Sequence, residues 1–226
     1  MNTQDTFQPR LDRLKTELCE QAQRVLAQTQ SAVECYFNHE PGRVESILAA
    51  ESMIDRMDVE IERQSIPLLS MGETNEHAIR TVLTIVKVNN ELERIADCAV
   101  NIAEASTSDS KVASDRFMVM ANSVLGMLRD TNISLADGNH ALARRVLEFD
   151  DTVDRFKREI LLNAQRDLAS HGANVEDTFA LIAVTKSIER IADHCTNICE
   201  QVIYLETGKI VRHDAEGWSD PIEPES

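Results

Sequence analysis

Carboxylates recur at one-turn spacing in four places along this chain: Glu51 and Asp55, Glu93 and Asp97, Asp150 and Asp154, Glu189 and Asp193. Residues four apart share one face of a helix, so each pair presents two acids side by side. Carboxylate oxygens are ligands for hard or borderline cations, and several at this spacing can hold more than one ion. Fe, Mn, Mg and Zn all suit such a donor set, whereas copper(I) prefers softer ligands. Asn101 lies one turn beyond Asp97, and His194 and Asn197 follow Asp193, which makes all three secondary ligand candidates.

The pairs are not independent. Glu93-Arg94-Ile95-Ala96-Asp97 reappears as Glu189-Arg190-Ile191-Ala192-Asp193, and Asn, Ile and Glu then follow at matching offsets in both copies. Ile54-Asp55-Arg56-Met57 likewise matches Val153-Asp154-Arg155-Phe156. The chain is therefore an internal duplication that preserves its acids. An outward acidic stripe on a single helix is ordinarily a solvated face, and Arg94 or Arg190 offers a way to neutralise it. Four occurrences at equivalent places in a duplicated chain favour a binding site instead.

Long helices must carry these residues. Apolar side chains recur at helical spacing between Gly and Pro punctuation at Pro41-Gly42, Gly72, Gly138, Gly172 and Gly208. This pattern predicts six helices, over 5–38, 42–70, 75–106, 109–137, 140–170 and 174–206, with Asp109 as an N-cap. Pro67 is expected to kink the second helix or end it early, and Gly126 to weaken the fourth. On a helical wheel the stripe Glu93, Asp97, Asn101 and Glu104 lies opposite Leu92, Ile95, Ala99, Ile102 and Ala103. The sixth helix repeats the arrangement, with Glu189, Asp193, Asn197 and Glu200 against Ile188, Ile191, Ala192, Cys195 and Ile198. In the second helix Glu51, Asp55, Asp58 and Glu62 lie beside an apolar set that includes Met53, Ile54 and Ile61. In the fifth, Asp150 and Asp154 stand in the same relation to Phe149, Val153, Phe156 and Ile160.

Strand alternation and Asn-Gly turns are missing. The expected fold is all-α: two pseudo-symmetric antiparallel three-helix bundles over 5–107 and 109–208, with an acidic C-terminal tail over 209–226. The acids then line outer grooves where the second helix meets the third and the fifth meets the sixth.

Composition narrows the class of function. The net charge of −16 over 226 residues disfavours nucleic acid and anionic lipid as direct partners, and suits cations or basic protein surfaces. Five cysteines without a CxxC pair read as reduced thiols of a cytoplasmic protein. No leader peptide is recognisable at the start, and no apolar run is long enough to insert into a membrane. A Gly-rich phosphate loop and a confident Ser/His/Asp arrangement are both missing, so the chain does not read as an enzyme. Two other readings stay open: a di-iron carboxylate protein on a helical bundle, and a metal-free helical adaptor. Against the first, no His has a Glu three residues before it, and the acids point away from the core.

With these motifs in view, each half resembles the PhoU domain of bacterial phosphate-transport regulators. That domain pairs a Glu/Asp-xxx-Asp motif on its second helix with a Glu-Arg-Ile-Gly-Asp-His-like motif on its third. The resemblance covers residues 5–207. Ala96 and Ala192 replace the usual Gly, and Cys98 stands where the second half has His194; Lys157 stands where the first half has Asp58. The resemblance implies a negative regulator of the phosphate-starvation response that couples a phosphate ABC transporter, through its ATPase subunit, to a sensor histidine kinase. It also implies a homodimer and metal, iron above all, at the acidic motifs.

Overall fold

A computed structural model describes residues 4–71, 75–106, 115–170 and 174–211. Six helices account for nearly all of them: α1 (Gln4–Asn38), α2 (Val44–Ser70), α3 (Glu76–Ala105), α4 (Asp115–Asp137), α5 (His140–Ala169) and α6 (Val175–Thr207). A short 3₁₀ turn at Pro41–Arg43 leads into α2. There is no strand among the described residues. Asp109, expected to cap α4, Gly72, Gly172, His171 and the tail from Arg212 lie outside the described residues.

Helix ends follow from local chemistry. Asn75, Asn139 and Asn174 cap α3, α5 and α6, each side chain accepting a hydrogen bond from a first-turn amide. Gly208 ends α6 in the left-handed region at φ 74°. A side chain there would be strained and would also meet the Arg80 guanidinium, 3.2 Å from the added Cβ. Pro67 does not end α2 early. The helix runs through it to Ser70: the proline forfeits the one i→i−4 bond its missing N–H would make, it stands on the exposed face, and only three helical residues follow it. Gly126 is likewise absorbed within a continuous α4.

Helices α1, α2 and α3 pack on one another as one bundle, and α4, α5 and α6 as the other. The bundles join along α3 and α6 and, less extensively, along α1 and α4. Arg80 reaches the Leu205 carbonyl and Glu91 reaches His194, so α3 and α6 run antiparallel and their duplicated motifs cross near the middle. One continuous apolar core results, with Leu92, Ile95, Ile102, Ile188, Ile191 and Ile198 almost fully buried in it. These are the positions that the wheel places opposite the acids. Two expected neighbours of the core are not in it: Met53 and Phe149 are 49% and 39% exposed. Each sits at the edge of its apolar stripe, where Ile54 and Val153 already fill the inward position.

Buried amides tie the helices together. Gln21 donates to the Ile54 carbonyl at 2.7 Å and Asn132 donates to the Ala22 carbonyl at 2.8 Å, the second bond linking the two bundles. Each bond gives a buried amide N–H the partner it needs, whereas Gln21 Oε1 and Asn132 Oδ1 are buried without a donor.

Candidate functional site

Packing α2 against α3 brings the first two acidic pairs together. Glu51 and Glu93 are half-buried, whereas Asp55, Asp97 and Asn101 are exposed on the groove. Burial and then the charges of Asp55, Asp97, Glu104 and Glu93 push the Glu51 pKa up. Glu93 is pushed up by burial and by Asp97, Asp58 and Asp55. Each group thus feels acids on both helices, and the groove disfavours its own ionised state.

Packing α5 against α6 repeats the arrangement. Asp150 and Glu189 are half-buried, and Asp154, Asp193 and Asn197 are exposed. Burial, with Asp193 and Asp154 next, raises the Asp150 pKa from 3.8 to about 6. Asp193 is raised by burial and then by Glu189, although Lys157 and His194 counteract. The second groove contains its own cation: Lys157 Nζ lies 2.5 Å from Glu189 Oε1. At the matching position the first groove has Asp58, whose pKa is raised by burial and by Glu62 and Asp55.

The chemistry of the donors fits a hard cation, and the raised carboxylates show why one would be favourable: it would relieve the repulsion they feel. Among the described residues, however, no three Asp, Glu, His or Cys side chains already converge on a single point. Exposed carboxylates such as Asp55 and Asp97 would have to rotate inward to complete a coordination shell.

His194 and Asn197 face a different partner. His194 Nδ1 lies 2.7 Å from Glu91 Oε2, and Asn197 Nδ2 donates to the same oxygen at 3.0 Å. Burial works to raise the Glu91 pKa, but those hydrogen bonds and the charges of His194 and Arg94 outweigh it and hold the carboxyl below its ordinary range. Sequence reasoning passes over Glu91 because its counterpart in the second half is Ser187, so the repeat does not mark it. Cys98, the counterpart of His194, is buried, and burial pushes its thiol up to about 11.

A family model described as the PhoU domain matches this chain twice, over residues 18–106 and 117–202. The chain belongs to the PhoU domain family. One relative, "Phosphate-specific transport system accessory protein PhoU homolog" of Clostridium acetobutylicum, is 30% identical, covering 92% of this chain and 98% of that one. The "PhoU homolog 1" of Thermotoga maritima is 27% identical over 93% of each chain. PhoU from Pseudomonas aeruginosa shares the fold with a TM-score of 0.86 at 24% identity, covering 90% of this chain and all of that one. The regulatory protein PhoU from Streptococcus pneumoniae does so with a TM-score of 0.85 at 22% identity, covering 91% and 99%. The fold is therefore the PhoU fold, and its two PhoU matches each contain one acidic groove.

Proposed function

We propose that this protein is a negative regulator of the phosphate-starvation response, working as a homodimer between a phosphate ABC transporter and a sensor histidine kinase. The observation that carries the reading is the coincidence of two PhoU domain matches with two acidic grooves. Relatives named as accessory proteins of phosphate-specific transport support the client. The strongly acidic surface suits basic partner surfaces, with association that weakens as salt rises. No helix among the described residues is long and apolar enough to cross a membrane, so engagement of the transporter is assigned to surface contact.

In this reading Glu51, Asp55, Glu93 and Asp97 hold one metal site, with Asn101 in reserve. Asp150, Asp154, Glu189 and Asp193 hold the other. Iron is the preferred ion, with Mn, Mg or Zn as substitutes. Bound metal supplies charge neutralisation that locks α2 to α3 and α5 to α6, and no catalytic step is assigned to it. The Lys157–Glu189 ion pair supports a second reading for the α5/α6 groove alone, in which the lysine serves in place of metal.

Deletion of the gene tests the role. In high phosphate the deletion strain is expected to express alkaline phosphatase, or another reporter of the starvation response, at a raised level. Unchanged expression with normal phosphate uptake would remove the functional reading and leave the fold intact.

A further inference from the structure

Equivalent residues of α3 and α6 lie 96 positions apart, as Glu93 and Glu189 do. The two helices run antiparallel, with Glu91 against His194 and Arg80 against the Leu205 carbonyl. Only at Arg94–Ile95 and Arg190–Ile191 do equivalent residues therefore stand level with each other. The pseudo-twofold axis passes between them, perpendicular to both helices, and such an axis turns the same face of each helix to solvent. Exposure agrees with this: Leu83, Arg94 and Asp97 on α3 and their counterparts Phe179, Arg190 and Asp193 on α6 are all exposed.

Two features of this face find no partner within the chain. Leu83 and Phe179 are 42% and 63% exposed. At 1.5 Å per residue each stands ~17 Å from the axis, on opposite sides, so the two are ~35 Å apart. A single exposed apolar side chain is ordinary. Here the same position is apolar and exposed in both halves, although exposed neighbours on the stripe have diverged, Lys87 against Ala183 and Asn90 against Lys186. Arg94 and Arg190 stand at the axis itself. Arg94 acts on Glu91 and Glu93 through its charge, yet neither arginine makes an ion pair or hydrogen bond with a described residue.

We propose that this face is the docking surface for a two-fold symmetric protein dimer, one chain bridging two identical subunits. Each subunit offers an apolar recess to Leu83 or Phe179 and a carboxylate near the axis to Arg94 or Arg190. Arginine at the centre of an interface is a common energetic anchor. An asymmetric partner would engage one half and leave the features of the other unused. A second copy of this chain on the same face would bring four arginines together at the shared axis, where like charges oppose association. The proposal rests on the regulatory reading above. Since relatives are named for phosphate-specific transport, the two subunits are assigned to the ATPase of the transporter.

Titration of the full chain onto the intact phosphate transporter in nanodiscs tests it, with mass photometry for stoichiometry. One chain is expected for every two ATPase subunits. Leu83→Asp and Phe179→Asp should each weaken binding by about tenfold, and to a similar extent, because each meets one of two identical subunits. Arg94→Gln with Arg190→Gln should weaken it by about tenfold or more. Ile133→Asp, at an equally exposed apolar position on α4, should change affinity by less than about twofold. Circular dichroism confirms the fold of each variant. One chain per ATPase subunit, weakening by only one of the Leu83 and Phe179 variants, no effect of the arginine pair, or equal weakening by Ile133→Asp would overturn the proposal and leave the regulatory reading standing. No binding of the native chain would overturn it as well, and the deletion strain then decides the regulatory reading separately.

Discussion

Asp150 retains its proton to about pH 6 because it is half-buried among Asp193, Asp154 and Asp151. An unfolded Asp titrates near 3.9, so the native state binds more protons between about pH 4 and 6. The associated stability is fully present below the unfolded pKa and is lost as pH rises through the folded one. Asp150→Asn should therefore stabilise the metal-free protein at pH 7 by ~1–2 kcal/mol, after discounting for solvent screening. At pH 4 the gain should largely vanish. Thermal unfolding at the two pH values in the presence of chelator checks this, and an equal effect at both would show that Asp150 is not under electrostatic pressure. The motif acids were legible in the sequence because duplication repeats them at helical spacing. Glu91 was not, since its counterpart in the second half is Ser187, and its hydrogen bond with His194 depends on how α3 crosses α6.

At the scale of helices, pairing α2 with α3 and α5 with α6 decides which acids meet. The two grooves are not equal, because Lys157 already neutralises Glu189 in the second, where the first has Asp58. Mn²⁺ should therefore bind the first groove more tightly. Lys157→Met should strengthen binding at the second by about tenfold, since it removes a competing positive charge at hydrogen-bond distance. Equilibrium dialysis with metal analysis measures both, and unchanged affinity would mean that the ion pair does not compete for the ligands. Helix number and order, and the bounds other than the start of α4, were readable from apolar periodicity and from Gly and Pro punctuation; the expected start of α4 at residue 109 lies outside the described residues. Pro67 does not end α2 early, since a helix tolerates one missing ladder bond on its exposed face; Met53 and Phe149 misled because stripe-edge residues are sorted by packing rather than by period.

Across the whole molecule, the seam between α3 and α6 merges the two bundles into one apolar core. Ile95, fully buried, lies within the motif that crosses this seam. Ile95→Ala should cost ~2–5 kcal/mol by leaving a cavity. It should also lower one cooperative transition that both halves share, and separate transitions by calorimetry would show that the bundles unfold independently. Pseudo-twofold architecture was legible from the duplication, whereas the pairing of Glu91 with His194 and Asn197 across the seam was not, because it requires α3 of one half to meet α6 of the other.

The central claim is that the acidic grooves are the working parts of a phosphate-responsive regulator. Complementation of the deletion strain by Asp97→Asn with Asp193→Asn tests it most directly, with reporter expression measured in high phosphate and protein abundance matched to the native form. Native protein should restore repression, while the double variant should fold, bind less metal and leave the reporter raised. Full repression by the double variant would contradict the account.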